Sequence, residues 1–162
     1  MKNIQFAEKK IIPQNKIVSF VLSERMKGRT IAFTNGCFDI LHKGHIYSLS
    51  RAAREADILI VGVNSDASVK KLKGPERPIN DENTRALVLA SLTITDAVVI
   101  FNDDTPLELI KIILPDVLVK GGDYTINEIA GAAEVVQAGG KVVINSIIPG
   151  YSTTGIIEKI KK

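Results

Sequence analysis

The two histidines of the chain lie three residues apart, in the segment His42-Lys43-Gly44-His45. Residues at this spacing share one face of a helix, so a helix that begins here would present both imidazoles together. A helix N-terminus attracts anions through its free N–H groups and partial positive charge, and Gly44 leaves room for a ligand at the backbone. The pair therefore suits a polyphosphate, while a metal site, a general base and a purely structural pair fit the same residues.

Two common phosphate-binding loops are excluded here. The segment has neither the Gly-x-Gly-x-x-Gly spacing of dinucleotide-binding proteins nor the Gly-Lys-Ser/Thr end of a Walker A loop. Zinc is disfavoured, because two histidines would need carboxylates from elsewhere as further ligands and the charge of Lys43 would oppose the cation.

A second group of candidate residues is basic. Residues 70–77 contain four cations, and Gly74 and Pro75 predict a loop. Such a loop is either a solvated surface or a phosphate clamp, which Arg85 could join from the next predicted helix. Its position after a predicted strand favours the clamp.

Two further segments offer backbone or hydroxyl groups. Lys120-Gly121-Gly122-Asp123 exposes N–H and C=O groups that could read a base edge, and Asp123 could hold a hydroxyl or a cation; a plain turn is the alternative. Ser152-Thr153-Thr154 precedes the last predicted helix, where hydroxyls and the helix N-terminus form a second anion site or an N-cap.

Alternating strand and helix signals determine where these segments lie. Apolar, β-branched runs predict five strands, at Thr30–Thr34, Ile58–Asn64, Ala97–Phe101, Val117–Lys120 and Lys141–Asn145. The stretches between and after them predict helices at about 43–56, 82–92, 106–113, 127–138 and 153–161. This order predicts an α/β fold, with about five parallel strands and helices on both faces. Ligands bind at the carboxyl ends of such strands, where all four segments lie.

Helix ends and the N-terminus complete the prediction. The expected helix N-caps are Thr105 (followed by Pro106), Asp81, Asn127 and Ser152 or Thr153. Residues 1–29 predict an N-terminal extension with a short helix that includes 17–22, and residues 30–162 a single domain.

The bulk composition bounds the function classes. With 162 residues, 45% of them hydrophobic, the chain is long enough for one globular domain. The net charge of +3 is too small to indicate nucleic-acid binding by itself. Cys37 is the only cysteine, which excludes an intrachain disulfide and fits a reducing compartment. No apolar run of about 20 residues and no signal peptide is recognisable, so we expect a cytoplasmic protein.

Taken together, the motifs resemble those of the cytidylyltransferase-like nucleotidyltransferases, which carry His-x-Gly-His. Within that superfamily the chain is most similar to the heptose 1-phosphate adenylyltransferase branch, an activity often found as the C-terminal half of a bifunctional heptose kinase/adenylyltransferase. The resemblance covers about 30–160. The motifs that carry it are Asn35–His45, Asn64-Ser65-Asp66, Leu72-Lys73-Gly74 with Arg77-Pro78, Thr105-Pro106, Pro115-Asp116, Val119–Tyr124 and Ser152-Thr153-Thr154.

The resemblance implies a Rossmann-like fold and the transfer of AMP from ATP to D-glycero-β-D-manno-heptose 1-phosphate, which gives ADP-heptose and pyrophosphate. Lipopolysaccharide core biosynthesis is the expected use of the product, and another glycoconjugate is the alternative. It implies Mg²⁺, held mainly by ATP phosphates. The sugar-phosphate nucleophile is already anionic, so positioning and electrostatics rather than a general base should carry catalysis. We expect a stand-alone enzyme with a separate heptose kinase and phosphatase as pathway neighbours and with no nucleic-acid or membrane partner; its apolar N-terminal segment is compatible with a homodimer.

The resemblance also assigns roles to the candidate residues. Those assigned to catalysis are His42, His45, Lys73 and Arg85. Those assigned to the nucleotide are Asn35, Gly36, Cys37, Phe38, Gly44, Val119, Lys120, Gly121, Gly122, Ser152, Thr153 and Thr154. Those assigned to substrate binding are of two kinds. Asp39, Asp66 and Asp123 are assigned to the sugar or Mg²⁺, and Lys71 and Arg77 to the β- and γ-phosphates of ATP.

Three other functions stay open. Glycerol-3-phosphate cytidylyltransferases carry Arg-Thr-Glu-Gly-Ile-Ser-Thr-Thr where this chain has 147–154, and Ile147 occupies the arginine position. This disfavours a transferase for glycerol 3-phosphate, ethanolamine phosphate or FMN but leaves it open. The second alternative is a nucleotide-sensing module without turnover. The third is a nucleic-acid binder, indicated only by the pI near 9.0 and the basic residues 70–77.

Overall fold

A computed structural model of the chain describes residues 3–122, 124–146 and 148–161. Its sheet is formed by β1 (Ile31–Gly36), β2 (Ile58–Asn64), β3 (Ala97–Phe101), β4 (Val117–Gly121) and β5 (Lys141–Asn145). All the strands pair in parallel, in the order β3-β2-β1-β4-β5. The predicted parallel α/β fold is confirmed, and each strand begins and ends within two residues of its predicted position.

The helices cover both faces of this sheet. They are α1 (Gln5–Glu8), α2 (Ile17–Met26), α3 (Lys43–Ala52), α4 (Asp66–Lys73), α5 (Glu82–Ala90), α6 (Leu107–Ile113), α7 (Ala132–Gln137) and α8 (Thr153–Ile160). Buried apolar side chains of α2, α6 and α7 pack on one face, and those of α1, α3 and α5 pack on the other. Burial on both faces explains why the central strands are continuous apolar runs rather than alternating ones.

Two of the predicted N-caps are confirmed and two are wrong. The Asp81 carboxylate accepts hydrogen bonds at the start of α5, and the Ser152 hydroxyl does so at the start of α8. At α6 the N-cap is Pro106 rather than Thr105. Asn127 lies inside a separate 3₁₀ turn, and α7 begins only at Ala132.

The basic segment is only partly the loop that its glycine and proline predicted, because α4 extends through Lys73 and the turn follows from Gly74. Ser65 caps this helix by accepting a hydrogen bond from the Ser68 N–H at 3.2 Å. Val69 anchors it with a fully buried side chain. Three lysines in its last turn interact favourably with the negative end of the helix dipole.

The N-terminal segment packs along the outer edge of β3. The Ile12 N–H donates to the Val98 carbonyl, and the Val98 N–H donates to the Lys10 carbonyl, both at 2.8 Å. The Lys10 ammonium also donates to the Thr95 carbonyl at 2.7 Å. The predicted short helix forms as α2. None of the described helices is long and apolar enough to cross a membrane.

The strand order creates a crevice between β1 and β4. The chain steps from β1 to β2 to β3 in one direction, and β4 then returns to the other side of β1. The β1–β4 ladder pairs only Ala32 with Val117 and Phe33 with Leu118, although both strands continue beyond these residues. The strands therefore diverge toward their carboxyl ends, which is where ligands of open α/β sheets bind.

Candidate active site

The carboxyl ends of the strands surround a cavity of about 670 Å³, a volume typical of small-molecule sites. Most residues assigned to the site from the sequence line it. They are Asn35, Gly36, Cys37, Phe38, Asp39, His42, Gly44, His45, Lys73, Arg77, Lys120, Gly121, Ser152, Thr153 and Thr154. The cavity thus gathers segments that are more than 100 residues apart in sequence.

Other assigned residues lie away from the cavity. Lys71 is on the exposed surface, where its ammonium pairs with the Asp104 carboxylate at 2.9 Å. Val119 is fully buried in the sheet. Gly122 lies against the Tyr124 ring, with a φ of 130°. Asp123, assigned to the sugar or to Mg²⁺, lies outside the described residues.

Arg85 also departs from its predicted place as a phosphate ligand, because its side chain is buried with 1% exposure and does not line the cavity. Its guanidinium donates to the carbonyls of Cys37, Asn64 and Asn80 at 2.7, 2.7 and 2.9 Å. It also pairs with the Asp66 carboxylate at 2.8 Å. Protein groups therefore surround the Arg85 guanidinium, and Asp66, its counter-ion, does not line the cavity either.

The two histidines form a stacked pair at the start of α3. His42 is the N-cap and His45 lies in the first turn, with ring centroids 3.8 Å apart and ring planes 18° apart. Gly44 permits this arrangement, because a Cβ at that position would lie 3.1 Å from the His42 ring and 3.3 Å from the Tyr151 Cβ. The predicted shared face is therefore present, and the glycine makes room for protein atoms.

Burial keeps both imidazoles neutral at pH 7 in the ligand-free protein. Burial lowers the pKa of His45 to about 4, with a further contribution from the charge of His42, against an opposing hydrogen bond with the Ile40 backbone. Burial also lowers the pKa of His42. Both Nδ1 atoms are buried without a hydrogen-bond partner among the described residues. An anionic ligand beside the pair would stabilise the protonated form.

Two cations line the cavity on the side of α4. The Lys73 ammonium forms no ion pair with any residue in the described ranges. The Arg77 guanidinium pairs with the Asp39 carboxylate at 2.6 Å. Burial alone would raise the pKa of Asp39, but hydrogen bonds from Asn80, Ile79 and Arg77 outweigh it and lower the pKa below its ordinary value. Asp39 is therefore an ionised support for Arg77.

The opposite side of the cavity combines an amine, an amide and an aromatic ring. The Lys120 ammonium donates to the Asn35 side-chain carbonyl at 3.3 Å and lies 5.7 Å from the centroid of the Tyr124 ring. Burial lowers the pKa of Lys120. Tyr124 and Tyr151 both line the cavity, and neither was assigned to the site from the sequence. The available signal was their place in the sequence, where Tyr124 directly follows Gly121-Gly122-Asp123 and Tyr151 directly follows Pro149-Gly150.

The chain matches the family model described as cytidylyltransferase-like over residues 33–159. The bifunctional protein HldE of Mesorhizobium japonicum is 51% identical over 151 residues, which cover 93% of this chain and 30% of that protein. HldE of Aliivibrio salmonicida is 54% identical over 151 residues, which cover 93% of this chain and 32% of the relative. The chain thus spans about a third of the length of the curated relatives that it matches.

Solved structures show the same fold. A lipopolysaccharide core biosynthesis protein from Thermoplasma volcanium superimposes with a TM-score of 0.61 and 28% identity, over 75% of this chain and 98% of that one. A pantoate–β-alanine ligase from Francisella tularensis superimposes with a TM-score of 0.60 and 16% identity, over 93% of this chain and 76% of that one. The second likeness concerns the fold alone.

Proposed function

The chain belongs to the cytidylyltransferase-like family, and on that premise we propose that it transfers AMP from ATP to D-glycero-β-D-manno-heptose 1-phosphate. The observation that carries the proposal is the composition of the cavity wall. A stacked histidine pair, the unpaired Lys73 and the N-terminus of α8 face one space at the carboxyl ends of the sheet. Identity of about half to the HldE proteins supports the heptose substrate.

In the proposed reaction, an oxygen of the sugar phosphate attacks the α-phosphorus of ATP. A new P–O bond forms, the bond from the α-phosphorus to the bridging oxygen breaks, and pyrophosphate leaves with that electron pair. The nucleophile needs no deprotonation, so the protein must bring two anions together and stabilise the leaving group. His42 and His45 donate to phosphate oxygens in the transition state, where charge accumulates.

The remaining roles follow from position in the cavity. Lys73 and Arg77 hold the β- and γ-phosphates from the side of α4. The hydroxyls of 152–154 and the N–H groups at the start of α8 bind phosphate from the other side. Lys120 and Tyr124 lie on the wall where the adenosine would be held, with the Tyr124 ring available for stacking.

We propose Mg²⁺ as the counterion of the ATP phosphates. Within the described ranges no group of three or more His, Cys, Asp or Glu side chains could hold a metal ion. The chief ligands of Mg²⁺ in this proposal are phosphate oxygens. Bound in this way, Mg²⁺ neutralises phosphate charge and so lowers repulsion between the two substrates.

The pathway context and the assembly are also part of the proposal. We propose a separate heptose kinase and a phosphatase as upstream pathway neighbours that supply the sugar phosphate. Because ATP is a cytoplasmic metabolite, its use as a substrate supports a cytoplasmic location for the reaction. Val18, Leu22 and Met26 recur at helical spacing along an exposed stripe of α2, which supports a homodimer through this helix. Light scattering on the purified protein tests the assembly.

Pyrophosphate release measures the proposed activity directly. The four nucleoside triphosphates are each tested with heptose 1-phosphate in both anomeric forms, glycerol 3-phosphate, ethanolamine phosphate and FMN. We expect turnover with ATP and the β-anomer, and a loss on the order of 10²–10³-fold in kcat for His42→Ala or His45→Ala. Near-normal turnover in either variant would refute the role given to the histidines.

Other outcomes of the same panel identify the alternatives. Preferred turnover of CTP with glycerol 3-phosphate would replace the heptose proposal by a cytidylyltransferase. Tight ATP binding without pyrophosphate release from any pair would indicate a sensing module. Salt-dependent binding of an oligonucleotide, with no turnover, would indicate a nucleic-acid binder.

A further inference from the structure

Phe38, in the segment between β1 and α3, has an unusual backbone conformation. Its φ is 48°, in the left-handed region that non-glycine residues rarely adopt. Such a conformation is strained and persists only where the surroundings of the residue determine it. The Phe38 ring packs edge-to-face on His45, with centroids 5.3 Å apart and ring planes 65° apart. The strained residue is thus in direct contact with the histidine pair.

Hydrogen bonds fix the backbone on both sides of Phe38. On the N-terminal side, the Cys37 carbonyl accepts from the Arg85 guanidinium at 2.7 Å. On the C-terminal side, the Asp39 carbonyl accepts from the Asn80 side-chain amide at 2.7 Å. The Asp39 carboxylate accepts from the Asn80 N–H at 2.9 Å. Neither neighbour of Phe38 can turn without breaking one of these bonds.

Arg85 joins the two anchors. The guanidinium that holds the Cys37 carbonyl also donates to the Asn80 carbonyl, at 2.9 Å. Its remaining contacts, to the Asn64 carbonyl and the Asp66 carboxylate, tie it to the end of β2 and the start of α4. This geometry needs the planar fork of a guanidinium, which presents several donors in fixed directions.

From these contacts we infer that Arg85 is a positioning residue, which holds Phe38 in its left-handed conformation and so places His45 against His42. The inference rests on the proposed function, in which the two histidines contact the phosphates. Arg85 acts through the backbone and not by touching ATP. Its charge is balanced by Asp66 and by three carbonyl oxygens, and it does not line the cavity.

Arg85→Lys is the principal variant, because it keeps the charge and removes the fork. A lysine ammonium has three donors on one atom and cannot reach four separated acceptors. The matched control is Arg54→Lys, at an exposed position two residues after the end of α3. Asn80→Ala removes only the amide bond to the Asp39 carbonyl and keeps the buried arginine, so it serves as a second variant where Arg85→Lys fails to fold.

Steady-state kinetics separate positioning from direct phosphate contact. For Arg85→Lys we expect kcat to fall on the order of 10²-fold, as for an ångström-scale displacement of catalytic groups, while KM for ATP changes by less than about threefold. Asn80→Ala should show the same pattern with a smaller loss, and Arg54→Lys should match the wild type. A folded Arg85→Lys protein with wild-type kcat would overturn the inference, as would a large rise in KM at constant kcat.

The imidazole NMR signals provide a readout that does not depend on turnover. The chain has only two histidines, so their Cε1–H signals are assigned from His42→Gln and His45→Gln spectra. We expect both signals to move in Arg85→Lys and in Asn80→Ala, because the stacked rings shift one another, and to stay in Arg54→Lys. If the wild type releases no pyrophosphate, the proposed function fails while these spectra still decide the positioning role; unmoved signals in both folded variants would overturn it.

Discussion

Replacing His45 by glutamine should make the protein less sensitive to mild acid. Burial lowers the pKa of His45 from its ordinary 6.5 to about 4 in the folded protein. Between these two pH values the unfolded chain binds a proton that the folded chain does not. The contribution of His45 to the free energy of unfolding is therefore fully present above pH 6.5 and is lost as the pH falls toward 4.

The magnitude follows from the same two pKa values. Between pH 7 and pH 5 the proton linkage amounts to at most about 2 kcal/mol, since each pKa unit corresponds to about 1.4 kcal/mol. His45 is partly exposed at the cavity, and screening by water reduces this to about 1 kcal/mol. With a urea slope of about 2 kcal/mol per molar, the midpoint should fall by about 0.5 M more in the wild type than in His45→Gln.

Urea unfolding at pH 7, 6 and 5, without nucleotide, measures this difference. Carboxylates titrate in both proteins and cancel in the comparison, and glutamine retains a polar side chain that does not ionise. Parallel loss of stability in the two proteins over this range would show that His45 titrates normally in the folded state. The neutral, buried imidazole described above would then be incorrect.

Three further substitutions test other parts of the structure. Lys73→Met should raise KM for ATP by about tenfold with an unchanged urea midpoint. Lys71→Met, on the same helix, should change KM and the urea midpoint little, because exposed ion pairs contribute less than about 1 kcal/mol to stability. An equal rise in KM in the two variants would contradict the assignment of Lys73 to the phosphate clamp. Gly44→Ala should lower kcat on the order of tenfold, since its Cβ would lie 3.1 Å from the His42 ring, and wild-type kcat would show that the stacked pair tolerates the displacement. Glu24→Gln should lower the free energy of unfolding by about 1 kcal/mol, because the buried carboxylate accepts hydrogen bonds from two cations; an unchanged urea midpoint would contradict this.

The sheet could be predicted from sequence because its central strands are buried on both faces. Runs such as Ile58–Asn64 are apolar throughout and end at polar residues, so both strand position and strand type are readable. The position of the cavity could be predicted from the strand order, because the carboxyl ends of parallel strands meet at one edge of the sheet. The spacing of His42 and His45 likewise predicted a shared helix face.

Helix α4 and the place of Arg85 could not be predicted in the same way. Residues 66–73 contain few apolar side chains and precede Gly74-Pro75, so the local pattern is that of a loop. The helix depends on the buried Val69, on the Ser65 cap and on the interaction of its last-turn lysines with the helix dipole. The local sequence around an arginine is the same whether its guanidinium contacts a ligand or donates to buried backbone carbonyls. The distinction depends on tertiary contacts from three other segments.

The strip of backbone at residues 10–12 has a consequence for self-association. A sheet exposes unpaired N–H and C=O groups along its edge strands, which invite pairing with other chains. Here the strip pairs with Val98 and covers β3, while the outer edge of β5 begins with the exposed, charged Lys141. Removing the strip would expose β3 as an edge strand, and β3 is apolar throughout and contains no charged residue. A chain shortened at its N-terminus should therefore aggregate through β3 even where the cavity remains intact.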